Sequence, residues 1–295
     1  MGMGIGSGYM FQTTAASEVI TDHVGERGPN LGATAGLAKA NFNTLTEKYG
    51  LDHRAAAIQS SEQLTQVIIP SIGKSGCNEI YDQARGLGQL ATVIKYQREI
   101  RNAALDVFAE LYPRCASGEE ARIALDSNRQ QGYKDRLDAE LDRMDALPAW
   151  KAVADARAYE KDRSYGGKIN NFGLAGAMLG LLEAQFYVFA SKGHSNSENG
   201  NETVEELSQS LNPIYQREGM AGLIRHCSST AQRGSLDWAP VFEKAFRKVF
   251  DRLEKDYTDN GTFNPNHNYT TISGPNMWNV LDSIRKLRPE NRRAA

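Results

Sequence analysis

Cysteine is scarce in this 295-residue chain: there are three, Cys77, Cys115 and Cys227. Their number is odd, their spacings are wide and no Cys-x-x-Cys occurs. That argues against a disulfide framework and a structural zinc site, and for a reducing compartment. Charge of one sign is also lacking. Thirty-four basic side chains against 36 acidic ones leave a formal charge of −2. Phosphate contacts supply most of the affinity for nucleic acid, so this balance argues against a nucleic-acid partner. Histidine is sparse as well. His23, His53, His194, His226 and His267 stand singly, and we assign them no metal.

The common catalytic patterns are missing. There is no Gly-x-Ser-x-Gly, no His-Glu-x-x-His and no dinucleotide-binding glycine run. Val67-Ile-Ile-Pro-Ser-Ile-Gly-Lys-Ser75 has half of a phosphate loop, but the glycine needed five residues before Gly73 is Ile68. We read it as a connection between helices and assign no cofactor. His226 and Cys227 are neighbours, which on a helix point about 100° apart and form no nucleophile–base pair.

Period-two alternation is nearly absent. Val67–Ile69 and Tyr269–Ile272 are the only strand candidates. What is present is helical periodicity. Leu31, Ala35, Ala38, Phe42, Leu45 and Tyr49 form one stripe. Further helices are predicted over 52–66, 78–112, 117–130, 131–163 with a break at Pro148, 172–190, 203–211, 214–227, 237–257 and 275–287. Residues 191–203 and 258–274, rich in Gly, Ser, Thr and Asn, read as loops. Asp135, Asp138, Asp142 and Asp145 make an acidic row that we read as a solvated helix face. The fold expected is all-α, a bundle of eight to ten helices, with lobes over 17–163 and 164–295 that meet near Tyr165-Gly-Gly.

Two ends and one segment stand out. Residues 1–16 begin with four glycines in eight residues and read as a flexible arm, with Tyr9 and Phe11 as its contact residues. The start lacks the basic and continuous apolar regions of a secretory signal. The C-terminus reads as a projecting basic tail, with Arg288, Arg292 and Arg293 as binding residues. Phe172 to Ala190 carries one carboxylate, Glu183, and is nearly long enough to cross a bilayer. Its Gly176-Ala-Met-Leu-Gly180 lets helix backbones approach closely.

From these features we expect a non-enzymatic structural protein, one subunit of a larger assembly such as a virus or phage particle or a secretion apparatus. Its partners would be copies of itself or other subunits, in the cytoplasm or within a virus particle. One alternative is a membrane-active protein that inserts 172–190, with Phe172, Gly176, Gly180 and Glu183 as the working residues. The other is an enzyme whose site is assembled from distant residues.

Overall fold

The computed structural model describes residues 13–160, 168–259, 277–286 and 288. Tyr9, Phe11, Arg292, Arg293, the Tyr165-Gly-Gly hinge and most of the loop expected at 258–274 lie outside them. The fold class is all-α as predicted. Among the described residues there is no strand, and Val67–Ile69 is helical.

The first helices are α1 (Ala15–Arg27) and α2 (Gly32–Glu47). Then comes a continuous helical run in three parts: α3 (His53–Ala57), a π-helical segment (Ile58–Ile68) and α4 (Ile69–Ser75). After it follow α5 (Asn78–Gly86), α6 (Leu90–Ala116), α7 (Glu119–Asn128), α8 (Tyr133–Ala146) and α9 (Pro148–Glu160). The second half holds α10 (Phe172–Ser191), a second continuous run and the last two helices. That run comprises α11 (Asn196–Gly200), a second π segment (Asn201–Leu211) and α12 (Asn212–Arg225). The chain then forms α13 (Ser229–Asp259) and α14 (Met277–Lys286).

Several boundaries differ from the pattern in the sequence: the helix expected over 78–112 is broken at 87–89, where Gly88 has φ +69°, and the one expected over 237–257 begins at Ser229. Pro70 does not end a helix at 66. In the π segment a backbone N–H bonds the carbonyl five residues back, as Ile69 does to Leu64. Pro70 has no N–H to give Thr65. The side-chain amides of Asn212 and Gln216 donate to that carbonyl instead, at 3.0 and 2.8 Å. Pro113 lies inside α6, where the carbonyl it leaves over belongs to Ala109, an exposed residue that water can reach. The loop expected over 191–203 is short. Ser195 caps a helix there, its hydroxyl accepting from the Glu198 N–H at 3.2 Å.

The structure also shows a repeated plan. Asn30-Leu31-Gly32 opens α2 and Asn171-Phe172-Gly173 opens α10. Each helix is followed by the α–π–α run, which carries a proline as the second residue after the π segment and, further on, a glycine in the same unusual backbone state. Those glycines are Gly76 at φ +86° and Gly219 at φ +79°. The two halves are interlaced, since α10 packs along α6 and α2 packs along α13. Close packing needs small residues at both seams. A side chain on Gly36 would meet the Ala239 carbonyl at 2.7 Å, and one on Gly176 or Gly180 would strike the carbonyls of Val93 or Gln97. α10 is the one helix among the described residues long and apolar enough to cross a membrane, and 94% of that span is buried inside the protein.

Candidate acidic site

Two rows of carboxylates face each other on separate helices. On α1, Glu18, Asp22 and Glu26 recur every four residues and share one face. Thr14 starts this helix by accepting from the Ser17 N–H at 3.1 Å. On α11 and the second π segment the row is Glu198, Glu202 and Glu206. Carboxylate oxygens of Asp22, Glu202 and Glu206 all lie within 4.8 Å of one another, and so do ligand atoms of Asp22, His23 and Glu26. Gly25 permits the approach. A side chain there would lie 2.9 Å from Asn30 Nδ2 and 3.3 Å from the Glu202 carbonyl.

Surrounding groups orient these acids. Asn30 Nδ2 donates to Glu206 Oε2 at 2.6 Å, and Asn201 Nδ2 to Glu202 Oε1 at 2.9 Å. Gln185, fully buried on α10, donates from Nε2 to the Glu202 carbonyl at 3.1 Å and to Thr203 Oγ1 at 3.3 Å. Arg27, also buried, bonds Glu120 at 2.9 Å and reaches Glu26 at 3.3 Å. A clasp closes the far end of the two rows. Glu198 accepts from Thr13 and Thr21 at 2.9 and 3.2 Å. His194 links Ser17 through Nδ1 and Tyr112 through Nε2, each at 2.7 Å.

Crowding four carboxyls in a partly dry site resists their ionisation. Burial, then the Glu18 carboxylate, raises Asp22 to about 6. Burial, then Asp22, raises Glu26 to about 8 despite Arg27. Burial raises Glu202 to about 7, and burial with Glu202 beside it puts Glu206 well above the usual range. Glu202 is 6% exposed, and its carboxyl is hydrogen-bonded to that of Glu206. Converging buried oxygens that resist ionisation are what a divalent cation would resolve, and an oxygen-rich donor set suits a hard one. Asp22, Glu202 and Glu206 therefore fit such a cation, with Glu26 beside Asp22.

Over residues 16–161 and 172–289 the chain matches the family described as ketol-acid reductoisomerase, C-terminal domain. The chain belongs to this family. It is 32% identical over 242 residues to the chloroplastic ketol-acid reductoisomerase of Spinacia oleracea, covering 82% of this chain and 40% of that protein. It is 38% identical over 161 residues to the mitochondrial ketol-acid reductoisomerase of Saccharomyces cerevisiae, covering 48% and 40%. Over 134 residues it is 42% identical to the ketol-acid reductoisomerase (NAD(+)) of Desulfosudis oleivorans, covering 41% and 38%. The chain thus spans about 40% of the length of these relatives.

Membership of the ketol-acid reductoisomerase family corrects the functional expectation. A non-enzymatic assembly subunit of a virion or secretion apparatus, and its membrane-inserting alternative, are overturned by a family of enzyme domains. A virus particle has no support, since these plant and yeast relatives are named chloroplastic and mitochondrial. The residues singled out in the sequence have other places. Phe172 opens α10 at 8% exposure, and Gly176 and Gly180 seat α6 of the same chain. Glu183 is buried and bonded by Gln97 at 3.1 Å and Arg101 at 3.3 Å, which makes it part of the α10–α6 seam. Arg288 projects nowhere. It is 3% exposed, grips both oxygens of Glu205 at 2.7 and 2.6 Å, and donates to the Gly73 carbonyl at 2.6 Å. None of the described ones lies among the four converging acids. The signal that would have found those acids is their spacing: acids at every fourth position over 18–26 and again over 198–206.

Proposed function

We propose that the acidic site binds divalent cations which receive a ketol acid, so that this chain supplies the cation-binding part of a ketol-acid reductoisomerase. The observation that carries the proposal is the convergence of carboxylate oxygens from Asp22, Glu202 and Glu206 within 4.8 Å of one another in a chain of this family. A ketol acid presents a carboxylate, a carbonyl and a hydroxyl close together, a chelating set of oxygens. A bound cation would polarise those oxygens as a Lewis acid. The chain's own residues do the rest of the placing. Asn30 holds Glu206, Asn201 and Gln185 hold Glu202 and its backbone, and Arg27 steadies Glu26. The described residues include no strand, and so form no strand–loop–helix cradle for a dinucleotide. The reduction named in the relatives would draw its hydride from a cofactor held by other residues. A reducing compartment suits the protein, whose three cysteines are all free.

The test is calorimetric titration of the full chain with Mg²⁺ and Mn²⁺, followed by a ketol acid. Wild type is expected to bind the cations, and to bind the ketol acid only when they are present. Asp22→Asn and Glu206→Gln should abolish both while leaving the helical circular dichroism intact. A wild-type chain that takes up neither cation would sink the proposal.

A further inference from the structure

A second cleft opens between α2, α8, the start of α9, the end of α12 and α13, and none of the converging acids lines it. Its volume is about 240 Å³, below the about 300–1,000 Å³ that drug-sized ligands occupy, so it suits a smaller molecule. Its walls are apolar: Met144, Leu147, Trp150, Ile224, Leu236 and Pro240. Trp150 and Ile224 are buried at its base, and Leu147 is exposed. An aliphatic group that displaces water from such walls is favoured by the apolar area it covers. Four charged side chains also line the cleft, and three are engaged. Lys39 and Glu243 pair at 2.8 Å, and Glu140 pairs with Arg233 at 2.8 Å. Arg143 makes no ion pair or hydrogen bond among the described residues. Asp142 and Asp145, beside it on α8, meet Arg225 at 2.7 and 3.6 Å. The cleft therefore joins apolar walls to one uncompensated guanidinium. That group is charged at every physiological pH and presents paired donors that match a carboxylate.

We propose that this cleft binds a small monocarboxylate with a short aliphatic tail, the tail lying against Met144, Trp150 and Ile224 and the carboxylate on Arg143. The inference stands apart from the cation-binding function proposed above, because it uses different residues and needs no metal.

The test titrates the full chain with hexanoate and follows binding by saturation-transfer NMR and tryptophan fluorescence. Chelator is present throughout, so that no cation at the acidic site competes for the carboxylate. Affinity should rise about fourfold for each CH₂ added from butanoate to hexanoate. Hexanol, with the same tail and no charge, should bind about fivefold more weakly than hexanoate. Arg143→Gln should weaken hexanoate about fivefold and leave hexanol unchanged. Ala239→Leu, which narrows the cleft, should weaken both, and Trp150→Phe should remove the fluorescence response. Glu206→Gln, in the acidic site, should bind hexanoate as wild type does. A wild-type chain that takes up no hexanoate overturns the proposal. So do equal affinities for hexanoate and hexanol, affinity independent of tail length, or hexanoate binding that Arg143→Gln leaves unchanged. Should Ala239→Leu fail to fold, the tail and headgroup series on wild type and on the exposed Arg143 decide.

Discussion

Replacing Glu26 by glutamine should stabilise the metal-free protein at alkaline pH. In the folded chain its carboxyl is raised from 4.5 to about 8, first by burial and then by Asp22. The folded state therefore holds the proton more tightly than the unfolded state. Its contribution is favourable at low pH and is lost as pH rises from the unfolded value toward 8. Each pH unit in that window is worth about 1.4 kcal/mol, so Glu26 alone removes roughly 2 kcal/mol between pH 6 and pH 8. Glu26→Gln cannot ionise and should escape that loss. The opposing effect is the broken contact with Arg27 at 3.3 Å, but Arg27 keeps Glu120 at 2.9 Å and the His23 carbonyl at 3.1 Å. Urea unfolding followed by tryptophan fluorescence, in chelator, at pH 6 and pH 8 measures the difference. Wild type should lose about 2 kcal/mol more than Glu26→Gln across that interval. Equal losses in the two proteins, or a steeper loss in the variant, would refute the account of buried, mutually repelling acids.

Three further outcomes follow from the packing. Gly180→Ala gains about 1 kcal/mol of helix propensity, but its methyl meets the α6 backbone at Gln97 and Arg101. Overpacking of about 1–3 kcal/mol outweighs that gain, so thermal unfolding should come a few degrees earlier, and a rise in Tm would contradict the seam. Arg288→Ala strands the buried Glu205 carboxylate and should cost about 3–5 kcal/mol in urea unfolding; a loss within experimental error would show that the pair is solvated. Gln185→Leu leaves the Glu202 carbonyl and Thr203 without their donor. Calorimetry should show weaker Mg²⁺ binding in a chain that still folds, and unchanged affinity would remove Gln185 from the support of the site.

The helices were legible where one face decides burial. The stripe from Leu31 to Tyr49 became α2, and the continuous apolar character of 172–190 became α10, buried among its neighbours on nearly all faces. The acidic site was not legible, for reasons that lie in tertiary context. Residues 196–203 have the composition of a loop, but the Ser195 cap and the burial of Glu198, Asn199 and Gly200 make them helical. The row that did attract notice, on α8, is a surface row whose Asp142 and Asp145 meet Arg225. Asp22 and Glu26 gain meaning only opposite Glu202 and Glu206, and the interlaced packing that sets them there leaves no local trace. Pro70 misled for a similar reason, because the amides that replace its missing N–H come from Asn212 and Gln216, far along the chain.

The distance along the chain between the two acidic rows has a last consequence. Asp22 and Glu202 belong to opposite ends of a long loop, and bringing them together costs entropy that no local helix recovers. A cation held between them would tie off that loop in the folded chain, much as a cross-link does. Because the unfolded chain has no such cluster, the ion would bind the native state alone, adding about 2.7 kcal/mol at a hundred times its dissociation constant. The abundance of folded protein would then rise and fall with the free cation concentration, independently of any turnover.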